Sequence, residues 1–150
     1  MAGSGENFVG QMLGLDVSNK NWYLTFSVKW ASWAASSQSF FIYGDGYRGG
    51  TPYLLMNLYT GDANSGPNFF WAGRGPSINI PLITTITDNT YHDFRLEYTH
   101  NNTTYELFIN NISQGTLTAT VQTFSVINDI FFYPVTNTHV KNVYLYEGTP

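Results

Sequence analysis

The chain has 150 residues, of which 43% are hydrophobic, 17% aromatic and only 11% charged. Ordinary domains carry about a quarter charged residues, so a charged helical bundle, a coiled coil and a disordered tail are excluded, and the polar surface must be made of Asn, Thr, Ser and Tyr. Six basic against ten acidic residues, a net charge of −4, are too few to neutralise a row of phosphates, so nucleic acid is not an expected partner. No run of 18 apolar residues offers a membrane span, so no membrane insertion is expected. The absence of cysteine excludes disulfides and thiolate metal sites.

The length suits one domain over residues 1–150. The opening Met1-Ala2-Gly3-Ser4-Gly5 has neither a basic start nor an apolar stretch. Residues 1–6 therefore read as a linker rather than a signal peptide, and the domain is expected to be part of a larger chain or assembly. From Trp22 to Trp30 the sequence alternates. Trp22, Leu24, Phe26, Val28 and Trp30 share one face, and Tyr23, Thr25, Ser27 and Lys29 share the other. Period two over nine residues predicts a half-buried strand.

Further strands are predicted at Ser39 to Tyr43, Tyr53 to Tyr59, Asn68 to Ala72, Tyr91 to Thr99, Thr104 to Asn110, Ile112 to Gln122, Val126 to Tyr133 and Val140 to Glu147. All are short and rich in β-branched and aromatic residues, with Gly, Pro, Asn or Asp clusters between them. No helical stripe interrupts them. Many short strands without helices predict an all-β, two-sheet antiparallel sandwich.

One hairpin is fixed by arithmetic. With His100-Asn101-Asn102-Thr103 as the turn, Tyr98 faces Tyr105, Leu96 faces Leu107 and Phe94 faces Ile109. Three apolar pairs then share one side. The other side pairs Glu97 with Glu106 and Arg95 with Phe108, a solvated face with Arg95 diagonal to both acids. Asn110-Asn111 suits a two-residue turn because Asn tolerates positive φ. Long Gly-rich connections are expected at Gly44 to Pro52 and Thr60 to Pro67, with a third at Gly73 to Ser77.

The run Tyr91-His92-Asp93-Phe94-Arg95-Leu96-Glu97-Tyr98, a short turn and Tyr105-Glu106-Leu107-Phe108-Ile109-Asn110-Asn111 resemble the central hairpin of laminin G-like domains. Those domains belong to the concanavalin A-like lectin/glucanase superfamily. Leu24 to Trp30 followed by Ser39 to Gly44 is similar to the family's first long strand and its successor. His139 to Tyr146 is similar to its last strand, which returns beside the first. The resemblance spans residues 20–147 and implies a concanavalin A-like jelly roll, a scaffold of sugar-binding modules, lectins, adhesion domains and some glycoside hydrolases or lyases.

An enzyme is not expected. The family's glucanases take their carboxylates from a Glu-x-Asp-x-Glu strand, and here none of Glu6, Glu97, Glu106 and Glu147 has a carboxylate two residues away. Asp45 and Asp62 read as turn residues. There is no Gly-x-Ser-x-Gly elbow, and His92, His100 and His139 are scattered, with His92 explained by packing. Asp62-Ala63-Asn64-Ser65-Gly66 lacks the bidentate Glu of a calcium loop, so neither metal nor cofactor is expected.

A sugar site needs an aromatic plate for apolar C–H faces and amide, carboxylate or guanidinium groups for hydroxyls. The first Gly-rich loop offers Asp45, Tyr47 and Arg48, the second Asp62 and Asn64, and the third segment Trp71 and Arg74, with Trp33 just past the first strand. Trp71 fits either a stacking position or the core, whereas Trp22 and Trp30 belong to the core. Tyr144 and Tyr146 alternate with Val143 and Leu145, which fits a groove floor, a strand covered on both sides or an oligomer contact. The expected function is a non-catalytic carbohydrate-binding module for a cell-surface or cell-wall polysaccharide, of the kind carried by a phage tail or baseplate adsorption protein, on a virion surface or otherwise extracellular. The alternative is a structural or adhesion domain that binds protein or copies of itself. Sequons stand at Asn101, Asn102 and Asn111.

Overall fold

The computed structural model describes residues 11–16, 19–31, 38–44, 53–62, 66–72, 80–102, 104–118, 126–132 and 139–150, and side chains over 19–31, 82–102, 104–116, 118 and 139–150. The described elements are all strands: β1 Gln11–Asp16, β2 Trp22–Lys29, β3 Gln38–Gly44, β4 Tyr53–Asp62, β5 Gly66–Ala72, β6 Ile80–Pro81, β7 His92–Thr99, β8 Thr104–Ile109, β9 Ile112–Thr118, β10 Val126–Phe132 and β11 His139–Glu147. They form a six-stranded sheet in the order β1-β10-β3-β4-β5-β6 and a five-stranded sheet in the order β11-β2-β7-β8-β9. Every pairing is antiparallel. The chain changes sheet after β1, β2, β6, β9 and β10, which makes the architecture a jelly-roll sandwich.

The five-stranded sheet shows why alternation was informative. Three rows of side chains run across β2, β7 and β8: Trp22, Tyr98 and Tyr105; Leu24, Leu96 and Leu107; Phe26, Phe94 and Ile109. All nine are buried, none more than 5% exposed. Each such burial contributes roughly 1.5–3 kcal/mol. Ring contacts order the rows, with Phe26 stacked on Phe94 at 5.1 Å, Tyr98 against Tyr105 at 4.8 Å and Trp30 edge-on to Phe94 at 5.9 Å. The expected hairpin register holds at every pair from Phe94–Ile109 to Tyr98–Tyr105. Its next turn carries Asn110 and Asn111 at φ 52° and 64°, the left-handed conformation that Asn tolerates.

The last strand does return beside the first long one, pairing His139 with Lys29 and Glu147 with Trp22. Its register breaks between Lys141 and Tyr144, where Asn142 takes φ 55°, a bulge on an edge strand.

Two expectations are corrected. The Thr60 to Pro67 connection is not a long loop: β4 runs to Asp62, β5 begins at Gly66, and Gly61–Pro67 and Asp62–Gly66 are paired. Strand pairing extends through Gly and Pro here because a hairpin end tolerates both. Strands β1 and β6 lie outside the predicted set. Gly14 and a register shift between Met12 and Leu15 break the alternation of β1, and β6 is two residues long. The predicted strand from Ile112 to Gln122 is described as far as Thr118. Residue 133 of the predicted Val126 to Tyr133 strand lies outside the described residues.

Candidate functional site

In the middle of β2 the outward side chains are small, with larger ones on the flanking strands. Thr25 and Ser27 sit in register between Tyr144 and Lys141 of β11 and Arg95 and Asp93 of β7. Short side chains between long ones leave a trough, because neighbouring strands are only about 4.8 Å apart. The resulting groove has a volume of about 310 Å³, lined by Thr25, Ser27, Asp93, Arg95, Phe108, Asn111, Asn142 and Tyr144, with backbone of Phe26 and Phe94 in its floor.

Its polar groups are held by one another. Ser27 Oγ donates to Asp93 Oδ1 at 2.6 Å. Arg95 is fixed on three sides: Nε donates to Glu97 Oε1 at 2.6 Å, Nη1 donates to Asn111 Oδ1 at 3.2 Å, and the guanidinium lies 4.2 Å from the centre of the Phe108 ring. The ring quadrupole and the Glu97 charge both attract the cation. Asp93 is positioned through its backbone, whose N–H donates to Asn110 Oδ1 at 2.9 Å while Asn110 N donates to Asp93 O at 2.7 Å. The turn that closes β8 and β9 thus also sets one end of the groove.

Tyr144, 54% exposed, forms the opposite wall. Beyond it Tyr146 is 41% exposed, its ring centre 6.1 Å from that of Tyr144 and 4.7 Å from Tyr23, on which it stacks at 18°. At the other end Lys29 and Lys141 stand 5.2 and 3.8 Å from the Tyr91 ring centre. A rigid guanidinium, a carboxylate, two amides and the Thr25 hydroxyl beside an exposed ring can hydrogen-bond the rim of a polyol while the ring covers an apolar face, and the buried Ser27 hydroxyl holds the carboxylate.

The expected charge network on this face is corrected in one respect. Arg95 pairs with Glu97 alone, and Glu106 instead accepts from Ser113 Oγ at 2.6 Å, because the guanidinium is drawn over Phe108. His92 is buried, its Nε2 3.0 Å from Thr87 N and its Nδ1 3.1 Å from Asn110 Nδ2, so packing and local hydrogen bonds account for it. Trp22 and Trp30 are in the core. Among the described residues no group of three or more His, Asp or Glu is placed to hold a metal ion.

Of the residues expected to bind sugar, Trp33, Asp45, Tyr47, Arg48, Asn64 and Arg74 lie outside the described residues. The backbones of Asp62 and Trp71 are placed at the end of β4 and within β5, with Trp71 paired to Asn57. The groove residues Asp93, Arg95, Phe108, Asn111 and Asn142 were not in the expected set. The signal for them was present in the hairpin arithmetic, which put Arg95 opposite Phe108 on the outer face. Missing from it was the strand on the far side of β2, which sets the other wall.

No protein-family model matches the sequence, and no curated protein matches it significantly. Solved structures do resemble the fold. A human galectin-16 variant superposes with a TM-score of 0.66 at 13% identity, covering 97% of this chain and 100% of that one. Domain 4 of the extracellular arabinanase AbnA from Geobacillus stearothermophilus, in complex with arabinotriose, gives 0.64 at 17% identity over 97% and 77%. Sheep galectin-11, in complex with glycerol, gives 0.63 at 13% over 95% and 100%. The chain therefore has the galectin-like, lectin-type jelly-roll fold, and identities this low establish the fold alone.

Proposed function

We propose that this chain is a non-catalytic carbohydrate-binding module that docks on a cell-surface or cell-wall polysaccharide. The observation that carries the reading is the groove in which Tyr144 faces Arg95, Asp93, Asn111 and Asn142 across the hydroxyls of Thr25 and Ser27. The likeness of the fold to an arabinanase domain in complex with arabinotriose supports it. Fold alone does not assign an activity, so the groove bears the weight. The finer readings stay with the proposal: a laminin G-like relationship, and the adsorption domain of a phage tail or baseplate protein on a virion surface or elsewhere outside the cell.

Catalysis is not part of the reading. Asp93 and Glu97 are four residues apart on one strand, about 13 Å along it, too far for either glycosidase geometry. Glu97 and Glu106 are cross-strand partners, but each acts as an acceptor, from Arg95 and from Ser113.

The test is retention of the purified domain on extracted bacterial wall polysaccharides and plant glycans, followed by calorimetry. Saturable binding that Tyr144→Ala and Arg95→Met both weaken supports the groove. Binding that those variants leave intact and that Trp71→Ala or Arg48→Ala abolishes moves the site to the loop end. Retention on none of the polysaccharides overturns the function. A second reading, a protein-binding or self-assembling adhesion domain, draws on the exposure of Val143, Tyr144 and Tyr146 along one edge strand; light scattering that finds an obligate oligomer indifferent to sugars would favour it.

A further inference from the structure

The outer face of β11 carries two exposed tyrosine rings side by side. Of the six large hydrophobic side chains exposed among the described residues, Val143, Tyr144 and Tyr146 lie on this one strand. Tyr144 and Tyr146 are two residues apart and therefore point to the same side. Tyr144 lines the groove, whereas Tyr146 lies beyond it, backed by Tyr23. That backing holds the Tyr146 ring while it stays 41% exposed, and a pre-ordered ring loses little entropy on binding. Thr25 and Tyr23 of β2, with Arg95 and Glu97 of β7, run parallel to the two rings in register. Each tyrosine is thus matched by its own pair of polar neighbours.

Resting on the glycan reading, we infer that Tyr144 and Tyr146 are consecutive stacking subsites, so that the domain takes a linear oligosaccharide stretch along β11 and not a single terminal sugar. A second copy of the chain is a poorer occupant of this face. The register break at Lys141 to Tyr144 and the left-handed Asn142 interrupt the row of edge N–H and C=O groups that strand addition would need. The Lys20–Glu147 ion pair, 3.0 Å long, covers the end of the same strand with charge. Uncharged tyrosine rings also suit a neutral, hydroxyl-rich chain better than a charged one.

The experiment is isothermal calorimetry with arabino-, xylo- and cello-oligosaccharides of one to four residues. In at least one series, affinity should rise about tenfold between one residue and three, the scale of one added aromatic contact. Tyr146→Ala should remove that rise, Tyr146→Phe should restore it, and Tyr144→Ala should weaken every length. Thermal melts of the variants establish that they fold. Equal affinity for one and three residues, or a trisaccharide affinity unmoved by Tyr146→Ala, overturns the two-subsite arrangement while leaving glycan binding standing. Absence of binding in all three series and on polysaccharides, or a stable dimer that Tyr146→Ala dissociates, overturns both.

Discussion

Arg95→Met separates what this side chain does for the fold from what it does for a ligand. Methionine keeps the apolar stem over Phe108 but removes the charge and both directed hydrogen bonds. The Arg95 and Glu97 side chains are 28% and 23% exposed, which puts their pair at the upper end of surface values, about 1 kcal/mol. The guanidinium over Phe108 adds about 0.5–1 kcal/mol, and the exposed bond to Asn111 less than about 1 kcal/mol. A loss of about 2 kcal/mol corresponds to a fall in Tm of roughly 4–8 °C for a chain of this size. The protein should therefore remain folded at 25 °C. Its affinity for a groove-bound sugar should fall by roughly 10- to 100-fold, the scale of a hydrogen bond from a charged donor. Differential scanning calorimetry and isothermal titration on the same samples measure both quantities. A variant that melts within 1 °C of the parent would refute the three-sided fixation of Arg95, and unchanged affinity in a folded variant would remove Arg95 from the site.

Three further outcomes follow from geometry. Gln114, 1% exposed, accepts from Ile83 N and Thr84 N and donates to Thr84 Oγ1 and Ile112 O; Gln114→Leu strands two backbone donors and should cost roughly 3–5 kcal/mol in denaturant unfolding, a loss under about 1 kcal/mol contradicting the clamp. Burial, and secondarily the neighbouring Tyr98, pushes the Tyr105 hydroxyl well above its ordinary value of 10.0. The folded state then keeps a proton that the unfolded chain releases, so stability is intact below about pH 10 and falls above it by about 1.4 kcal/mol per unit; Tyr105→Phe should flatten that slope in alkaline melts. Asn111→Ala forces an alanine to φ near 64° and removes the acceptor for Arg95, so it should destabilise by about 1–2 kcal/mol, while Asn111→Gly, free of the backbone strain, should lose visibly less.

Much of the fold was legible because period-two alternation reports burial directly. Trp22 to Val28, Phe94 to Tyr98 and Tyr105 to Ile109 point the expected residues inward, and the register of β7 on β8 follows from matching those faces across a turn of known length. Strand β1 was not legible, since Gly14 and its register shift destroy the period, and the lengths of β4 and β5 were understated because Gly61 and Pro67 read as loop. The expected site rested on residues that composition alone makes attractive, Gly-flanked tyrosine and arginine. The groove rests instead on residues that look ordinary one by one.

What the sequence by itself determined is local: which residues extend, which face of each strand is dry, where Asn can turn, and how consecutive strands align. Those properties depend on neighbours one to ten positions apart, and the chain states them outright. That β11 lies against β2, more than a hundred residues away, was implied by the family resemblance and by no local pattern, and only the tertiary structure set the register that brought Tyr144 opposite Arg95 across Thr25. Alternation tells each strand that it needs a partner on its edge without saying which. Only the closing of both sheets over one core selects that partner, and the groove exists because of that choice.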